Sequence, residues 1–232
     1  MLNAVRRRLP LGIRADTSEL LDSGRLSPSA VEANLADMAR LNRLPGGTAS
    51  SIAGIRRLMG PGNAARILDV GTGRGDMPLA FAGLGWEVAA VDSNPDVLVV
   101  ARRELAPQGI EAVEADVRAL PFPDGAFDVA HASLLLHHLD PAVAVAALRE
   151  LARVARRGIV VNDLRRGWLP LVASAVSVAL LARSGVTRRD GIASARRSYT
   201  LDELDGMLAD AGLTRRWRSG AWMPRVVTAA SS

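Results

Sequence analysis

Residues 66–76 read Arg66-Ile67-Leu68-Asp69-Val70-Gly71-Thr72-Gly73-Arg74-Gly75-Asp76. Ile67, Leu68 and Val70 form a short apolar run of the kind that suits a buried parallel strand. Asp69 interrupts the run just before Gly71, Gly73 and Gly75 alternate through a turn. Beyond Asp76, Leu79, Ala80, Ala82 and Leu84 recur with helical spacing. The stretch predicts strand, tight glycine turn, helix. Glycines let a ligand touch the backbone, and a helix start offers N–H groups without intrahelical partners. A glycine turn that merely joins strand to helix is the alternative, and the flanking sequence bears on the choice.

Working outward, the same alternation repeats. Strands are predicted at 87–91 ending at Asp92, at 110–115 ending at Asp116, at 127–132 and at 158–162. Helices are predicted at 95–106, with Pro95 at a favoured early position, and at 141–156. Thr200 is expected to cap a helix reaching Ala211, with Asp202 and Glu203 in its first turn. Two late strands, 214–219 and 223–228, read as a closing hairpin. Before the core, helices are expected from Ser27-Pro28 to Leu41 and over 50–59, preceded by a loose arm at 1–24. Alternating strands and helices imply an α/β protein with a parallel, doubly wound sheet. Right-handed crossovers then gather the strand C-terminal ends, and the residues that follow them, on one edge.

The stretch Leu68-Asp69-Val70-Gly71-Thr72-Gly73-Arg74-Gly75 resembles the first motif of class I S-adenosylmethionine-dependent methyltransferases. The run from Glu114 to Val129, which contains Asp116-Val117-Arg118-Ala119-Leu120-Pro121-Phe122, is similar to that of the quinone-biosynthesis type of small-molecule methyltransferase. The resemblance implies a Rossmann-like fold over about residues 64–228, with a seven-stranded, mostly parallel sheet in the order 3-2-1-4-5-7-6. It implies helices on both faces and cap helices from the N-terminal region. It also implies S-adenosyl-L-methionine as cofactor, held by the first-motif residues Asp69, Gly71, Thr72, Gly73 and Gly75. Asp92 and Ser93 follow strand two, where a carboxylate can accept from both hydroxyls of a ribose; capping of the next helix is the competing role for Asp92. By the resemblance Asp116 accepts from the adenine amino group, the backbone of Val117 meets the ring, and Ser133 and Leu134 lie beside the cofactor. The element His137-His138-Leu139 recurs in the family. His138 is the candidate general base, since an imidazole of ordinary pKa suits proton transfer near neutrality. His131, within a strand, is expected to be a satisfied core residue.

Asn162, Asp163, Arg165 and Arg166 end strand five at the same edge. Asp163 is a second candidate for acting on an acceptor hydroxyl, with Asn162, and Arg165 for holding an anionic group. Residues 167–183 are apolar on nearly all sides, which suits a substrate lid, a buried helix or an interfacial membrane helix. The lid is the favoured reading, with Trp168, Leu169, Leu171, Val172 and Val176 as the wall over an apolar acceptor. Residues 1–63 are therefore assigned to an arm and cap, and 64–232 to the cofactor-binding domain with a lid insertion at 165–198.

Composition narrows the function classes. The chain has 232 residues, enough for one domain with a sizeable core. With no cysteine and three histidines, neither a disulfide frame nor a metal site is expected. All 29 basic residues are arginine. Residues 1–148 hold 14 arginines against 17 acids, and residues 149–232 hold 15 against 7. The sparse aromatics argue against nucleic-acid binding despite that basic third. No signal peptide or spanning segment is read, so the expected location is cytoplasmic, and membrane-surface contact is not favoured. The function read from the sequence is methyl transfer to a small, apolar, hydroxylated acceptor of the polyketide phenol or quinol precursor type. An NAD(P)-dependent oxidoreductase is the runner-up. The third glycine of the fingerprint Gly-x-Gly-x-x-Gly would fall at Asp76, which counts against it. A non-catalytic cofactor-binding partner protein is the third reading. Acceptor identity and oligomeric state are not legible.

Overall fold

The computed structural model describes residues 14–15, 20, 26–60, 64–220 and 223–232. The arm expected at 1–24 falls almost wholly outside them.

Seven strands form one sheet: β1 (Arg66–Val70), β2 (Glu87–Asp92), β3 (Ala112–Glu114), β4 (Phe127–Ser133), β5 (Ala155–Leu164), β6 (Thr214–Ser219) and β7 (Arg225–Ser231). Their spatial order is β3-β2-β1-β4-β5-β7-β6, as expected. The first five run parallel, with Leu68 opposite Ala89 on one side and Ala130 on the other. β7 inserts antiparallel between β5 and β6, which makes the late strands a hairpin at the sheet edge.

The helices are α1 (Pro28–Asn42), α2 (Thr48–Met59), α3 (Asp76–Ala82), α4 (Pro95–Leu105), α5 (Pro141–Val154), α6 (Trp168–Leu181), α7 (Gly185–Arg197) and α8 (Leu201–Asp210). Their boundaries follow local chemistry. The Ser27 hydroxyl accepts from the N–H of Ala30 at the start of α1, and Asn94 caps α4. At α8, Thr200 and Glu203 make a capping box. One side of the sheet packs Leu68, Val70, Ala130 and Val161 against α5 and α8, through Leu148, Leu151, Leu204 and Leu208. The other packs Ile67, Val129, Val160 and Val227 against Ile55, Met59, Met77 and Phe81 of α2 and α3. Side chains of this size contribute about 1.5–3 kcal/mol each when buried.

One expectation is corrected. α5 stops at Val154, and β5 begins at Ala155 rather than 158. The arginines at 156 and 157 suited a helix end, but Phe127 pairs with Ala155 and draws the chain into the sheet early. The segment after α6 is also helical. Asp190 and a dispersed set of arginines gave α7 no apolar period, and it is held by packing on α1 and α6.

Candidate active site

The loop between β1 and α3 is built by its glycines. Gly71, Gly73 and Gly75 have φ of 72°, 56° and 93°, all left-handed. The N–H groups of Gly71 and Thr72 donate to the carbonyl of Val91, which fixes the loop on β2. Beneath it, Asp69 accepts from the Thr72 hydroxyl at 2.8 Å and meets His131 Nδ1 at 2.6 Å. His131 Nε2 lies 2.9 Å from Ser51 Oγ on α2, so this histidine is the satisfied core residue expected. Thr72 turns its hydroxyl inward. Gly75 is packed too, since a Cβ there would lie 2.8 Å from Leu105. The Cβ direction of Gly73 is open among the described residues, where Leu35 is the near neighbour at 3.8 Å.

A polar network extends from this base. Asn162 donates to Ser51 Oγ and accepts from Arg225 Nε. The buried Arg225 guanidinium also donates to Asn42 Oδ1 and Ser133 Oγ, and Asn42 donates to Asp76. Burial lowers the Arg225 pKa to about 10, against the opposing pull of Asp163 and Asp76. Burial likewise raises the Asp76 carboxyl. These hydrogen bonds are what make such groups tolerable inside the fold.

Above the strand ends lies a cleft of about 500 Å³. It brings together Gly71, Gly73, Asp92 and Ser93 from the first two loops, and Asp116, Val117, Ser133, Leu134 and His138 from the next two. Asp92 accepts from the N–H groups of Gly73 and Asn94, each at 3.0 Å. Burial raises its pKa, against those two bonds. Asn94 rather than Asp92 caps α4, so the Asp92 carboxylate remains at the cleft. Asp116 pairs with Arg118, whose hydrogen bonds hold it below the ordinary carboxylate value. Leu134 has φ 54°, a left-handed conformation unusual for a leucine, and its N–H donates to the Asn162 carbonyl.

The turn at Leu136–His138 is clamped from outside. Arg14 donates to the carbonyls of His137 and Leu139, Arg197 to that of His138, and the Tyr199 hydroxyl to that of Leu139. Burial lifts the Tyr199 pKa to about 12. His137 turns inward, with Nδ1 at 2.5 Å from Asp163 Oδ1. Burial alone would raise Asp163, but His137 beside it carries it below the ordinary value. Asn162 and Asp163 were expected to meet an acceptor hydroxyl. Both are buried with their polar atoms engaged inside the protein, so that reading is corrected. His138 packs against His137 with the rings tilted by 38° and their centroids 4.2 Å apart, and borders the cleft.

A second, apolar cavity adjoins the cleft, bounded by α1, α6 and α7. Met38, Leu134 and His138 border both spaces. On α6 the wall is made by Ser174, Ser177 and Val178, facing Gly191 and Ser194 of α7. The expected wall is corrected: Trp168, Leu169, Val172 and Val176 are exposed, and Leu171 is buried without bordering the cavity. A helix apolar on most sides carries no sequence signal for its inward face. Asn34 of α1 is buried at the cavity wall; its Nδ2 donates to Thr187 Oγ1, and its Oδ1 has no partner among the described residues. Sequence reading missed Asn34 and Arg225. An arginine inside the apolar run of β7 was the available signal for the second. Among the described residues no cluster of metal-ligating side chains occurs.

Residues 67–158 match the family model described as a methyltransferase domain. A ubiquinone/menaquinone biosynthesis C-methyltransferase of Hahella chejuensis is 31% identical over 168 residues, which span 64% of this chain and 67% of that one. A demethylmenaquinone methyltransferase of Thermus thermophilus is 49% identical over 67 residues, spanning 27% of this chain and 30% of that one. The crystal structure of an S-adenosylmethionine-dependent methyltransferase from Aquifex aeolicus superposes with a TM-score of 0.63 at 20% identity. That match covers 89% of this chain and 98% of the other, and bears on the fold.

Proposed function

We propose, from the premise that this chain belongs to the class I S-adenosylmethionine-dependent methyltransferases, that it methylates a small, apolar, hydroxylated acceptor held in the second cavity. The observation that carries this is the shared border: Met38, Leu134 and His138 line both the cleft and the apolar cavity. A methyl group crossing from one space to the other passes those three side chains.

The cleft residues fit the cofactor. Gly73 leaves open the space that a Cβ would fill, so the backbone can approach a ligand. Asp92 offers its remaining lone pairs to the ribose hydroxyls, and Asp116, with the backbone of Val117, takes the adenine. Ser93, Ser133 and Leu134 complete the walls. When bound, the cofactor supplies an electrophilic sulfonium methyl. The chain's part is alignment, exclusion of water and removal of a proton. His138 is the residue that takes the proton from the acceptor, with its turn held by Arg14, Arg197 and Tyr199. Asp163 acts through His137, orienting the neighbouring ring rather than touching the acceptor. The unpartnered Asn34 Oδ1 supports a hydroxyl on the acceptor, because a buried carbonyl oxygen gains most from a donor.

The test has two parts. S-adenosylhomocysteine should raise the thermal midpoint and NAD should not; the reverse would sink the cofactor assignment. Incubation with S-adenosylmethionine and a panel of alkyl phenols, quinols and polar catechols should add one CH2 to the apolar members. Turnover confined to the polar members would overturn the acceptor assignment.

A further inference from the structure

α6 presents an apolar stripe to solvent. Leu169, Val172, Val176 and Leu180 follow helical spacing and are 69%, 42%, 51% and 77% exposed. Trp168 stands at its start, 42% exposed. The opposite side, with Leu171, Ser174 and Val178, is the buried one. A soluble protein rarely leaves one helix so apolar toward water without a use for it. At 14 residues α6 is too short to span a bilayer. Among the described residues no helix is long and apolar enough to cross a membrane.

The charge around the stripe indicates what covers it. Residues 165–197 contain seven arginines and a single acid, Asp190. Asp190 is buried, whereas Arg183, Arg188, Arg189 and Arg196 are exposed. On α7 those last three share their outward side with Ile192, itself 46% exposed. The polar face that α6 lacks in sequence is thus supplied by its packed neighbour. A two-fold contact between copies through this hairpin would oppose like charges, so a second copy is disfavoured.

We propose that the α6–α7 hairpin docks this protein onto an anionic lipid surface. The α6 stripe enters the headgroup boundary, with Trp168 at the level where indole rings are favoured, and the exposed arginines meet anionic headgroups. The inference does not depend on the identity of the methyl acceptor, and its test does not read activity.

The full chain is floated with phosphatidylcholine vesicles, and with the same vesicles containing about one-third phosphatidylglycerol. Binding should be at least about tenfold tighter to the anionic vesicles and should weaken with salt. Arg188→Gln with Arg189→Gln, and separately Leu169→Ser with Leu180→Ser, should each lower it by roughly tenfold or more. The substituted side chains are exposed, and unchanged melting and S-adenosylhomocysteine affinity would show that the fold is intact. Equal partition onto both vesicles, or no binding to either, overturns the proposal. So does a concentration-dependent dimer that Leu169→Ser with Leu180→Ser dissolves.

Discussion

His131 sets its Nδ1 2.6 Å from Asp69 Oδ1, and both side chains are shut away from solvent beneath the glycine loop. The pair is a brace: Asp69 also takes the Thr72 hydroxyl, and His131 reaches Ser51 on α2. His131→Ala leaves the Asp69 carboxylate without its ring partner. The expected cost is about 3–5 kcal/mol of unfolding free energy in urea, as for other broken buried pairs. S-adenosylhomocysteine affinity should fall as well, because the loop loses its support. A loss below about 1 kcal/mol would mean that the loop stands without the brace.

Gly73 and Gly75 are both left-handed but meet different surroundings. A side chain at Gly73 costs about 1–3 kcal/mol of backbone strain and projects toward the cleft. Gly73→Val should therefore fold, with S-adenosylhomocysteine binding lost in calorimetry. Gly75→Ala would strike Leu105 at 2.8 Å as well as carrying the strain. It should lose a further 1–3 kcal/mol, roughly, of stability while the residual folded protein still binds. The opposite pattern would reverse the roles of the two glycines.

Asp92 yields a pH dependence. Burial raises its pKa, and in the proposed cofactor site ribose hydroxyls would donate to the ionised form. Affinity for S-adenosylhomocysteine should therefore begin to fall, as the pH is lowered, above the ordinary carboxylate range. The raised value also means that ionised Asp92 opposes folding. Its contribution to stability is full below the unfolded pKa and is lost as the pH rises through the folded one. Asp92→Asn should weaken binding at neutral pH by about 1.5–3 kcal/mol and flatten the acidic decline. A decline of the same shape in the variant would assign it elsewhere, with Asp76 the next candidate, since burial raises it too.

The strand ends that border the cleft were legible because they are written locally, whereas the sheet order came from the resemblance to class I methyltransferases. Apolar runs ending in Asp92, Asp116 and Ser133, with glycines at Gly71 and Gly73, mark strand ends through short-range chemistry. What reading in sequence order could not reach was pairing across distance. Arg225 is 183 positions from Asn42, yet the two are hydrogen-bonded. Thr72 and Gly75 fit a cofactor motif, but their inward contacts with Asp69 and Leu105 depend on packing. The same limit explains α6. Its sequence is apolar on most sides, so only the position of α1 and α7 decides which residues line the cavity.

Asn34 offers the most direct test of the acceptor assignment. Its Oδ1 is buried without a partner among the described residues, which costs about 1–3 kcal/mol unless something donates to it. Asn34→Leu keeps the approximate volume, removes that orphaned oxygen and gives up the bond from Nδ2 to Thr187. The two effects oppose each other, so the free protein should be within about 1 kcal/mol of wild type. Turnover should respond differently. If the acceptor hydroxyl donates to Asn34, its KM should rise by roughly tenfold to a hundredfold, while S-adenosylhomocysteine affinity stays unchanged, since Asn34 does not border the cleft. The measurement is made with an acceptor and with its analogue lacking the hydroxyl nearest the binding group. The leucine variant should discriminate against the analogue less than wild type does. An unchanged acceptor KM, or equal discrimination in both proteins, would remove Asn34 from acceptor recognition and leave its oxygen a feature of the free protein alone.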